Sequence, residues 1–122
     1  MATILFVDDE PLTRKLLAQA AQILGHRGLT AATAEEALES ADSDRPDLIV
    51  TDINLNGVHS LDLIEQLHTA PKTRSIPVIT LSAEEPGDIQ AQAQARGAVA
   101  SLEKPVRLQT LLEVIREHAP KS

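Results

Sequence analysis

The sequence predicts an α/β protein built on a parallel sheet, and three observations carry that prediction. Short unbroken apolar runs recur along the chain, Ile4-Leu5-Phe6-Val7 and Leu48-Ile49-Val50 among them, and runs of this length read as strands buried on both faces. Between the runs lie segments with apolar residues at helical spacing, opened by capping residues and closed by Gly or Pro. The joints between strand and helix are short and polar. Five strands alternating with five helices make βαβ units, whose right-handed crossovers give one doubly wound sheet in a single domain.

In chain order, residues 4–7 form the first strand and run into Asp8-Asp9-Glu10-Pro11. Acids followed by Pro at a first helical position start a helix, with Leu12, Leu16, Ala20 and Ile23 as its apolar stripe and Gly25 as its stop. Residues 29–32 are a short strand. Thr33 with Glu36 three residues later is a capping box, and Ala34, Ala37, Leu38 and Ala41 form the inner face of a second helix that ends before Pro46. Leu48-Ile49-Val50-Thr51-Asp52 is the third strand, followed at once by the polar Asn54-Leu55-Asn56-Gly57. Ser60 is placed to cap a helix carrying Leu61, Ile64 and Leu67. The fourth strand begins on Pro77 and runs to Leu81, where the missing donor of proline is tolerated. A fourth helix over residues 86–96, rich in Ala and Gln, has high propensity but a thin apolar stripe, so loose anchoring is expected. Gly97 ends it, residues 98–102 form the last strand, and Leu108, Leu111, Leu112 and Ile115 mark the closing helix.

At 122 residues the chain is one domain, able to bury about two thirds of its unfolded surface. The absence of cysteine excludes disulfides, thiolate metal sites and thiol nucleophiles. No apolar stretch approaches the roughly 20 residues that span a bilayer and no signal-peptide charge cluster opens the chain, so a cytoplasmic protein with no membrane partner is expected. Eighteen acidic residues against 11 basic ones give a formal charge of −7, and the cations are not clustered. Phosphate-backbone binding needs clustered cations and base stacking needs aromatic rings, of which Phe6 is the only one, so nucleic acid is not expected as a direct partner. His26, His59, His68 and His118 lack metal-ligand spacing and read as surface residues.

In a parallel sheet every strand exit lies along one edge, and ligands bind there. Asp8 and Asp9 follow the first strand, Asp52 the third, Ser82 the fourth and Lys104 the fifth, so residues far apart in sequence converge. Each has a plainer use: Asp52 as a loop cap, Asp8-Asp9 as anions at a helix start, Ser82 as a helix cap, Lys104 as a solvated lysine. Taken together, three carboxylates repel one another by about 4 kcal/mol per pair at close range, and a cation must sit among them. A hard divalent ion such as Mg²⁺ and one lysine would supply that charge. An acidic nucleophile, a metal, an ammonium and a small hydroxyl are what phosphoryl transfer to a carboxylate needs.

Val-Asp-Asp-Glu, Leu-Ile-Val-Thr-Asp, Pro-Val-Ile-Thr-Leu-Ser-Ala and Lys-Pro, in this order and at these spacings, resemble the receiver domain of two-component response regulators. The resemblance covers residues 2–118 and implies a flavodoxin-like fold with strand order 2-1-3-4-5. It also implies Asp52 as the phosphorylated residue and Asp9 as the direct metal ligand. Asp8 would act through water, Asn54 would offer its backbone carbonyl, Lys104 would pair with the phosphoryl group and Ser82 would be the moving hydroxyl. Ala83 would leave room for the phosphoryl group, and the Lys104-Pro105 peptide would be cis. The implied cofactor is Mg²⁺, and the implied partners are a histidine kinase or histidine phosphotransfer protein and a downstream protein met by noncovalent contact, with the chain a monomer or weak dimer.

The sequence departs from the family where a Tyr or Phe usually stands three residues before the lysine. Here that switch position is Ser101, and the usual inward turn of a ring has no counterpart. Asn56 replaces a usual proline, and His59-Ser60 an acidic-glycine pair. Asn54 and Glu84 are expected at the pocket mouth, where their polarity would orient water for hydrolysis of the phosphorylated form. Nothing resembling an output domain follows the last helix, so residues 1–122 are expected to be the receiver alone. Two other uses of the same residues compete: a module that binds partners without phosphorylation, and an aspartyl-phosphate phosphatase. The second usually carries an acid two residues beyond its nucleophile, where this chain has Asn54.

Overall fold

The structure is a computed structural model that describes residues 2–55, 58–83 and 87–118. Five strands, β1 (Thr3–Val7), β2 (Arg27–Ala31), β3 (Leu48–Asp52), β4 (Val78–Ser82) and β5 (Ala98–Glu103), form one parallel sheet in the order β2-β1-β3-β4-β5. Five helices alternate with them: α1 (Pro11–Ile23), α2 (Ala34–Asp44), α3 (Leu61–Thr69), α4 (Gly87–Ala95) and α5 (Leu108–His118). This is the doubly wound parallel sheet expected from the alternation of apolar runs, in the flavodoxin-like order that the family resemblance implies.

Side chains alternate across a strand, and the central strands feed two cores at once. Ile4, Phe6, Leu48, Val50, Ile79 and Leu81 pack on one face with Leu17 and Ala21 of α1 and Leu111, Val114 and Ile115 of α5. Leu5, Val7 and Ile49 pack on the other with Ala37 and Ala41 of α2, Leu63, Ile64 and Leu67 of α3 and Ala93 of α4. Both faces are therefore covered, which is why these strands read as continuous rather than alternating apolar runs.

The phase of α1 differs from the expected one. Leu12, Leu16 and Ile23 are 61%, 55% and 77% exposed, and the buried row is Leu17 and Ala21. The cause is a close crossing with β2: a Cβ on Gly28 would lie 3.0 Å from Ala18 Cα. Only a small residue fits at that crossing, which sets Ala18 against Gly28 and turns the Leu12, Leu16 and Ile23 row outward. The capping box of α2 forms, with Thr33 Oγ1 accepting from Glu36 N at 3.1 Å and Glu36 reaching back to Ala32 N at 2.8 Å. Arg45, left-handed at φ 46°, ends that helix before Pro46.

Three expectations are corrected by hydrogen bonding. His26 is half-buried, and its Nδ1 accepts the Ala2 N–H at 3.0 Å, so it pins the start of β1. Ser60 makes no side-chain cap on α3. The segment after β3, read as a polar loop, contains a two-residue ladder pairing Asn54 with His59 and Leu55 with Val58. Among the described residues, no helix is long and apolar enough to cross a membrane.

Gly97 ends α4 at φ +126°, where an added Cβ would lie 2.6 Å from His68 Cγ. Gly97→Ala is expected to cost about 1–3 kcal/mol, from backbone strain and displacement of the His68 ring. Urea unfolding of the two chains measures it, and an unchanged midpoint would contradict this account of the turn.

Candidate functional site

The sheet topology brings four of the five strand exits to one rim. Asp8 stands one residue past β1, Asp52 ends β3, Ser82 ends β4 and Lys104 follows β5. The backbone locks these exits together: Asp8 N donates to Ala31 O at 3.1 Å, Ile53 N to Leu81 O at 2.8 Å and Lys104 N to Ser82 O at 2.8 Å. The Lys104-Pro105 peptide is cis.

One ammonium joins two carboxylates. Lys104 Nζ donates to Asp8 Oδ2 at 2.7 Å and to Asp52 Oδ2 at 2.8 Å. The Asp8 side chain is fully buried and that of Asp52 is 11% exposed, against 25% for Lys104. Burial pulls the lysine pKa down, but the hydrogen bonds and charges of Asp52 and Asp8 outweigh it, and the ammonium titrates above its ordinary 10.5. The remaining oxygens are also held. Asp8 Oδ1 accepts from Glu10 N at 2.9 Å, and Asp52 Oδ1 accepts from Asn54 N at 3.1 Å.

Asp9 completes an acidic cluster: Asp8, Asp9 and Asp52 each offer an oxygen, and these atoms lie within 4.8 Å of one another. An all-oxygen, all-carboxylate donor set is suited to a hard divalent cation that keeps several waters, and not to a soft metal. The cluster therefore fits Mg²⁺ by chemistry as well as by position.

Several residues here escaped the sequence reading. Ser60, 3% exposed, donates its hydroxyl to Asp52 O at 2.9 Å, and Thr51 Oγ1 donates to the same carbonyl at 3.1 Å. Arg14 Nη1 donates to Asp8 O at 2.7 Å. The signal for Arg14 was present, since Pro11 fixes the helix start and places Arg14 in the first turn above Asp8. For Ser60 there was none, because its reach depends on the Asn54–His59 ladder. Ser82, 2% exposed, accepts from Gln90 Nε2 at 3.3 Å. Ser101 is half-buried and shares a 2.8 Å hydrogen bond with Thr80, its cross-strand partner. Asn54 and Ala83 are exposed, and Glu84 lies outside the described residues.

The family profile for the response regulator receiver domain matches residues 4–116. The chain belongs to the response regulator receiver family. Protein PilH of Pseudomonas aeruginosa is 31% identical to it over 115 residues, covering 94% of this chain and 95% of PilH. The polar-differentiation response regulator DivK of Brucella anthropi is 28% identical over 116 residues, covering 95% of this chain and 94% of DivK. Among solved structures, chemotaxis protein CheY4 of Vibrio cholerae superposes with a TM-score of 0.90 at 28% identity, covering 97% of this chain and 98% of CheY4. Receiver domains are modules of two-component signalling rather than enzymes that turn over a substrate, and their acidic cluster is the place where they generally hold Mg²⁺.

Proposed function

We propose that this receiver is phosphorylated on Asp52 by a phosphohistidine of a histidine kinase or histidine phosphotransfer protein. The observation that carries the reading is the bridge from Lys104 to both Asp8 and Asp52, beside a third carboxylate. Asp9, Asp8, Asp52 and the Asn54 backbone carbonyl are the groups that would hold Mg²⁺, which when bound neutralises charge on the transferring phosphoryl group.

In the step itself an Asp52 oxygen forms a bond to phosphorus while the phosphorus–nitrogen bond of the phosphohistidine breaks. The bonding pair goes to the imidazole nitrogen. Lys104, already within hydrogen-bond distance of Asp52 Oδ2, exchanges that oxygen for a phosphoryl oxygen and offsets its charge. The N–H of Asn54 holds the other Asp52 oxygen, and Ser60 and Thr51 fix the carbonyl behind it, so the carboxylate attacks from a defined orientation. Ser82 donates its proton to the phosphoryl group once that group is in place.

Intact-protein mass spectrometry after incubation with Mg²⁺ and a small acyl-phosphate donor tests this reading. One phosphoryl increment is expected with Mg²⁺ and none after chelation; an unmodified mass under both conditions would favour the constitutive module. The latter gains one argument from the structure, since Ser101 is tied to Thr80 and supplies no ring to move.

A further inference from the structure

Ser82 is the hydroxyl of the site, and its surroundings decide where its proton points. It is 2% exposed, so water does not compete for it, and its backbone is fixed by the bond from Lys104 N to Ser82 O. A serine hydroxyl carries one proton and two lone pairs. Gln90, on α4, places an amide N–H 3.3 Å from Ser82 Oγ and occupies one of those lone pairs. Thr80 and Ser101, the hydroxyls one step back along the same side of β4 and β5, bond to each other at 2.8 Å and so satisfy one another.

We infer that Gln90 is a positioning residue for phosphoryl transfer to Asp52, its amide donating to Ser82 Oγ so that the Ser82 proton stays available for the phosphoryl oxygen. This rests on the receiver reading above and adds a residue to it. Gln90 donates to Ser82 rather than to Asp52, and it acts through Ser82. It also ties α4, otherwise anchored by buried Ala93 and half-buried Ile89, to the site, so transfer of the Ser82 hydroxyl toward the phosphoryl group draws on the bond that holds the helix.

The test compares phosphorylation rates of the full chain with Mg²⁺ and a small acyl-phosphate donor. Gln90→Ala and Ser82→Ala are each expected to slow phosphoryl uptake by about tenfold. Mg²⁺ affinity, read from the shift of the melting curve, is expected to stay unchanged. Alanine is the better helix former, so the loss does not come from melting α4. Gln90→Glu, which only accepts, would draw the Ser82 proton away and is expected to be slower than Gln90→Ala. In the Ser82→Ala background, Gln90→Ala is expected to have no further effect, because its partner is already gone. Wild-type rates in Gln90→Ala, or a double variant slowed by the product of the two single effects, would overturn the assignment while leaving the receiver reading intact. A wild-type chain that takes no phosphoryl group would overturn both.

Discussion

Asp52→Asn is expected to abolish phosphoryl uptake, leaving the mass of the chain unchanged under conditions that modify the wild type. The amide nitrogen is not a nucleophile toward phosphorus, and the amide oxygen carries no charge to attack with. The substitution keeps the shape of the side chain, and the carbonyl oxygen of Asn can still accept from Asn54 N, as Asp52 Oδ1 does at 3.1 Å. Removing one of three clustered carboxylates also lowers their mutual repulsion. The unfolding free energy is therefore expected to change by no more than about 1 kcal/mol, which separates lost chemistry from lost fold. A modified Asp52→Asn chain would mean that another residue takes the group.

Lys104→Ala is the second large effect, and it falls on stability as well as chemistry. The ammonium bridges a fully buried carboxylate and one that is 11% exposed. Removing it leaves two facing anions without their shared cation, at a cost of about 3 kcal/mol, the low end for a buried pair because the lysine itself is 25% exposed. Millimolar Mg²⁺ is expected to recover part of that loss, since a cation held by the same carboxylates stabilises the folded chain by mass action. The Asp52→Asn background is expected to shrink the cost, because one of the two anions is gone. Equal losses with and without Mg²⁺ would contradict the shared site. The pH dependence has a defined sign. The folded pKa of Lys104 lies above 10.5, so its contribution is full below 10.5 and is lost as pH rises through the folded value. The stability difference between wild type and Lys104→Ala, measured by urea unfolding, is expected to be flat through neutral pH and to close in alkali.

The convergence of Asp8, Asp9, Asp52, Ser82 and Lys104 was legible in the sequence because topology does the work. Once the buried runs are strands of one parallel sheet, their exits share a rim wherever the residues stand in the chain. The α2 capping box was legible for a related reason: it is local, and three residues of spacing contain it. What was not legible depends on register between elements. The Leu12, Leu16 and Ile23 row of α1 has the spacing of a buried stripe and is exposed, because the approach of Gly28 to Ala18 fixes the helix phase and no periodicity reports it. Ser60 has the sequence position of a helix cap and instead supports the Asp52 carbonyl, through a ladder whose pairing sequence spacing does not announce. His26 and Gln90 each act on a partner that only tertiary packing brings near.

The most direct test is to locate the phosphoryl group. The chain is treated with Mg²⁺ and a small acyl-phosphate donor, the acyl phosphate is reduced with borohydride, and the peptide that spans β3 is sequenced by mass spectrometry. Reduction of the acyl phosphate converts the phosphorylated aspartate to homoserine, and the account predicts that conversion at Asp52 alone. Homoserine at Asp8 or Asp9, or phosphate on Ser82 with Asp52 intact, would contradict it.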